Sequence, residues 1–81
     1  MPTIHLQGPF RFSFYSREPN EPPHVHVSAS GAEAKVWLAT MTVARSKGFS
    51  ARDIAAIIRI VRERRDEFLD VWHGFFGTTA D

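Results

Sequence analysis

From Ile54 to Phe76 apolar residues return every three or four positions (Ile54, Ile57, Ile58, Val61, Phe68, Leu69, Trp72, Phe75, Phe76), and no Gly or Pro interrupts the run before Gly74. That spacing marks one face of an α-helix. The start is equally well defined. Ser50 can cap the first turn, Asp53 three residues on places negative charge at the positive end of the helix dipole, and Phe49 can staple onto Ile54. A helix over about residues 51–75 thus occupies about a third of an 81-residue chain, and the rest must supply a surface that covers its apolar face.

The first half of the chain has a different period. Phe10, Phe12 and Phe14 alternate with Arg11 and Ser13 after the Gly8-Pro9 break, the pattern of a strand with one buried face. His24 to Ser28 alternates again, with Val25 and Val27 on one face and His24, His26 and Ser28 on the other. After the turn residues Ser30-Gly31, Ala34, Val36 and Leu38 alternate with Glu33, Lys35 and Trp37. The β-branched stretch over 40–45 is short enough for a helical turn but favours a fourth strand. Arg17 to Pro23 holds three prolines, so neither a helix nor a central strand passes through it. The expected fold is α+β: one domain over 1–81, an antiparallel three- to four-stranded meander over about 4–45, packed against one long C-terminal helix.

With 43% hydrophobic and 23% charged residues the chain reads as a soluble domain, and one this small buries only about 60–65% of its unfolded surface. Such a core commonly leans on disulfides, a metal or a second subunit. The absence of Cys removes disulfides, Cys-based zinc sites and thiol nucleophiles, which suits a cytoplasmic location. Met1-Pro2-Thr3-Ile4-His5 shows no basic stretch leading into an apolar run, and no apolar run reaches membrane length, so neither export by that route nor membrane insertion is expected. The net charge is +1, yet seven of the ten Lys and Arg residues lie between positions 45 and 65, against Asp53 and Glu63. That local excess suits either nucleic acid or an acidic partner protein.

The candidate chemistry centres on His24 and His26, two imidazoles about 7 Å apart on one strand face. A sheet of this size leaves one face wet, so the pair is expected to be exposed. Together they can bind a divalent metal if His5, Glu21, Glu33 or His73 completes the site. Without metal they can act as general acid and base on RNA, with Lys35 or an Arg stabilising the phosphorane charge. His73, on the last helical turn beside Trp72, is a further catalytic candidate. Arg65 falls at the centre of the apolar stripe, where a guanidinium must be paired, reach outward, or serve an anion site or an interface. Arg52, Arg59 and Arg62 lie along one flank of the helix, which with Arg65 is the expected polyanion contact. Phe10, Phe12 and Phe14 are expected in the core rather than stacking on bases.

Phe14-Tyr15, then Asn20-Glu21-Pro22-Pro23-His24-Val25-His26-Val27, then Glu33-Ala34-Lys35-Val36-Trp37 resemble the small bacterial domain-of-unknown-function 4160 family. The opening Met1-Pro2-Thr3-Ile4 and the closing Glu63-Arg64-Arg65-Asp66-Glu67-Phe68-Leu69 with Trp72-His73 are similar too, so the likeness spans the chain. It implies motif positions at Asn20, Pro22, Pro23, His24 and His26, with Glu33, Lys35 and Trp72 as weaker matches. Other members often look to have Asp, Asn or Pro where Glu21 stands. The resemblance further implies membership of a two-gene, toxin-antitoxin-like cassette with a partner of the domain-of-unknown-function 2442 family. A superficial similarity to histidine-triad nucleotide hydrolases fails because the third position is Ser28.

Three functions therefore compete. The first is a cassette component that binds or cleaves RNA or DNA through the His pair and the Arg-bearing helix. The second is a non-catalytic protein-interaction module or homodimer, and the third a His-based metal-binding protein.

Overall fold

The computed structural model describes residues 3–15 and 20–76. Met1 and Pro2, and Arg17, Glu18 and Pro19 of the proline-containing stretch, lie outside the described residues. Five strands follow in chain order, β1 (Thr3–Gln7), β2 (Phe10–Ser13), β3 (His24–Ala29), β4 (Ala32–Trp37) and β5 (Thr42–Lys47), and then one helix, α1 (Ala51–Phe76). Each strand pairs antiparallel with the next, so the spatial order is the chain order, β1-β2-β3-β4-β5. The fold is α+β as expected. Residues 42–47 form the fourth strand of the expected meander, and β1 adds a strand beyond the three or four anticipated.

Turn chemistry sets the registers. Ser30 (φ 47) and Gly31 (φ 85) both take positive φ between the paired residues Ala29 and Ala32, which is the two-residue turn whose twist matches a hairpin. Both edge strands are bulged. Thr3 faces Ser13 while His5 faces Phe12, so Ile4 is the extra residue of β1. Lys35 faces Arg45 while Val36 faces Val43, so Ala44 is the extra residue of β5.

The alternating apolar residues Phe10, Phe12, Phe14, Val25, Val27, Ala34, Val36 and Leu38 form one half of the core, and Ile57, Ile60, Val61, Phe68 and Trp72 of α1 form the other. Phe12 meets Phe68 at 5.5 Å between centroids, and Phe14 meets Trp72 edge-on at 5.1 Å. The helix start has the expected capping box. The Asp53 amide donates to Ser50 Oγ (3.1 Å) and the Ser50 amide to an Asp53 carboxylate oxygen (3.4 Å). Gly48 makes the corner from β5 toward α1 with φ 90, where a Cβ would lie 3.0 Å from that of Ala32.

Candidate functional site

On the sheet face away from α1, β3 presents His24, His26 and Ser28. Their cross-strand neighbours on β4 are Trp37, Lys35 and Glu33, and Ser13 lies beside His26 on β2. Of these neighbours, Lys35 and Glu33 follow from the alternation of β3 and β4, but the expectation of a wet face fails here. His24 is 0% exposed and His26 6%. The cause is aromatic cover from three directions. Tyr15 stacks flat on His26, with centroids 3.7 Å apart and planes 11° apart. Trp37 meets His24 edge-on at 5.6 Å. Trp72 reaches it from the helix at 5.0 Å. Phe14 and His24 lie at the same end of the β2–β3 pair, and Trp72 touches both.

The Pro22-Pro23 pair orients this cluster. The two prolines contribute two carbonyl acceptors and no amide donor. His24 Nδ1 donates to the Pro22 carbonyl (2.9 Å), and the Leu38 amide donates to that of Pro23 (3.0 Å). A carbonyl only accepts, so the proton sits on Nδ1 of His24. Glu21, on the other side of the prolines, places a carboxylate oxygen 3.8 Å from that Nδ1 and forms an ion pair with Lys35. The Lys35 ammonium also lies 4.7 Å from the centre of the Trp37 ring, a cation–π contact. The motif therefore builds a closed block of His24, His26, Lys35, Glu21, Tyr15, Trp37 and Trp72. Tyr15 and Trp37 were not expected to take part, although Trp37 shares the strand face of Lys35 by simple alternation.

The remaining candidates fall elsewhere. Asn20 and Pro22 are exposed and Pro23 is half-buried. Glu33 is exposed between Ser28 and Lys47. His73 is exposed and takes no part in the contacts of the histidine block. Arg65 is half-buried and donates from Nε to the Leu38 carbonyl (2.7 Å), a backbone bond in place of the ion pair or anion site anticipated for it. Arg52, Arg59 and Arg62 are exposed on α1, with Arg45 and Lys47 exposed on β5. Among the described residues no three His, Asp or Glu side chains gather where they could hold a metal ion, so His5, Glu21, Glu33 and His73 do not complete a site with His24 and His26. Among the described residues no helix is long and apolar enough to cross a membrane.

A five-stranded meander under a single helix, with a proline-oriented histidine pair sealed by aromatic rings, defines a class of small α+β domain built around one sequence motif. Residues 10–73 match the family model described as Domain of unknown function (DUF4160), and the chain belongs to that family. No curated protein and no solved structure matches it.

Proposed function

We propose that this protein is a non-catalytic protein-interaction module. The observation that carries the reading is the burial of the histidine pair. A general acid or base must come within about 3 Å of the proton it moves, and a polymer substrate cannot reach that close to His24, which has no exposed surface, or readily to His26, which is 6% exposed under Tyr15. The Nδ1 proton of His24 is already held by the Pro22 carbonyl, which suits a packing and orienting role. The resemblance noted from the motif supports a place in a two-gene cassette, beside a partner of the domain-of-unknown-function 2442 family.

The charge pattern of α1 supports the same reading. Past the basic stretch, Glu63, Asp66, Glu67 and Asp70 are all exposed on the helix, so a polyanion lying along it would meet four carboxylates. Arg45, Lys47 and Arg52 favour the competing nucleic-acid reading, which predicts binding that falls steeply with salt. The test is induced expression in bacteria of the wild type beside the His24→Asn, His26→Asn double variant, scoring growth and RNA integrity, with co-expression of the cassette partner. Equal growth and intact RNA with both proteins, and stoichiometric co-purification of the partner with the wild type, are expected. Growth arrest with RNA cleavage in the wild type alone, with the variant soluble and folded, would overturn the module.

A further inference from the structure

The charges of α1 are segregated along its length. Residues 51–62 carry Arg52, Arg59 and Arg62 against Asp53, a net +2, and residues 63–76 carry Arg64 and Arg65 against Glu63, Asp66, Glu67 and Asp70, a net −2. Asp53 and His73 follow the helix dipole, but the larger order, bases first and acids later, runs against it. Intrahelical pairing does not account for the pattern either. Arg64 pairs with Glu67, whereas among the described residues Arg59, Arg62, Asp66 and Asp70 form no ion pair.

At about 100° per residue, Ala55, Arg59, Arg62, Asp66, Asp70 and His73 fall on one stripe, and all are exposed. Ile58 and Leu69 border it and are half-buried. A stripe that is positive in one half and negative in the other is complementary to itself when turned end for end.

We infer that the outer stripe of α1 is a self-association surface, on which a second copy of this chain packs its own α1 antiparallel about a two-fold axis beside Arg64. The inference rests on the interaction-module reading and names a second copy as a partner. In that register Arg62 of one copy opposes Asp66 of the other, while Arg59 opposes Asp70 and Ile58 opposes Leu69 each to within one residue. Each pair occurs twice, as a two-fold interface requires. A parallel arrangement sets Arg against Arg and Asp against Asp. The sheet edges are poorer surfaces for a second copy, because the extra residues Ile4 and Ala44 kink both of them and Lys47 lies on β5.

The experiment is sedimentation of the full chain across concentration and ionic strength, comparing the wild type with three charge variants. These are Arg59→Asp with Arg62→Asp, Asp66→Arg with Asp70→Arg, and all four substitutions together. All four positions are exposed, and circular dichroism checks that each variant is folded. A salt-sensitive dimer is expected for the wild type, with roughly tenfold or weaker self-association in each double variant. Mixing the two doubles should give a heterodimer, and the quadruple variant should regain a dimer. A wild type that stays monomeric at low salt and high concentration overturns the inference, as does a quadruple variant no better than the doubles. A monomer that still co-purifies with the cassette partner sinks this inference and leaves the module reading standing. RNA cleavage by the wild type sinks that reading independently.

Discussion

Replacing His24 by Ala should remove a large fraction of this protein's stability without touching any exposed surface. The ring is wholly buried between Trp37, Trp72 and His26, so removing it opens a cavity in an aromatic block and costs about 2–4 kcal/mol. The Pro22 carbonyl also loses the Nδ1 donor, about 1 kcal/mol more. The sum, about 3–5 kcal/mol, compares with a total stability on the order of 4–12 kcal/mol for a chain of this length. The melting temperature should fall by roughly 15–30 °C. Asn is the informative companion, because its side-chain amide can donate to the same carbonyl at similar reach. His24→Asn should keep the cavity but recover about 1 kcal/mol, roughly 5 °C. Trp37 and Trp72 both touch the ring, so their fluorescence reports the transition directly. An Ala variant that melts within a few degrees of the wild type would refute the packing role. Equal melting of the Ala and Asn variants would refute the role assigned to the Pro22 bond.

Ser50→Ala removes the acceptor for the Asp53 amide and should cost about 1 kcal/mol, seen as a 4–8 °C drop in melting temperature. Gly48→Ala combines a left-handed φ with a Cβ placed 3.0 Å from Ala32, and urea titration should show a loss of about 1–3 kcal/mol. Arg65→Met keeps the aliphatic stem but deprives the Leu38 carbonyl of its donor, and should destabilise by about 1–3 kcal/mol by the same titration. Lys35→Met breaks the ion pair with a Glu21 side chain that is 41% exposed, so solvent screening should hold the loss below about 1 kcal/mol.

The elements whose periods run uninterrupted were legible in the sequence. The alternation of β2, β3 and β4 located the core and set Lys35 and Glu33 across from β3, and the Ser50–Asp53 box set the helix start to the residue. β1 was not legible because the bulge at Ile4 reverses its pattern. His5 turns toward the core, 5.7 Å from Phe68 and 5.8 Å from Phe12, and Leu6 is left 66% exposed. Polarity says one thing at those two positions and burial the other. The burial of His24 and His26 was hidden for a different reason. A strand face of His, Ser, Lys and Glu reads as solvated, and what covers it is contributed by single aromatic residues beyond the strand: Tyr15 after β2 and Trp72 nearly fifty residues later. Arg65 shows the same limit, since its partner is a backbone carbonyl that no side-chain pattern reveals. The basic stretch ending at position 65 was counted correctly, but its meaning changed once Asp66 and Asp70 fell on the same helical stripe.

The length of α1 has a consequence for motion. At 1.5 Å per residue its 26 residues span about 39 Å, whereas strands of four to six residues reach only about 13–20 Å. Its buried residues Ile57, Ile60 and Val61 lie in the first half, and the later turns are held chiefly by Phe68 and Trp72, with Val71 and Phe75 in water. Amide hydrogen exchange should therefore form a gradient along a single helix. The slowest amides will follow global unfolding near Val61, and protection will step down past Trp72, where the last turn can open and reclose while the sheet stays intact.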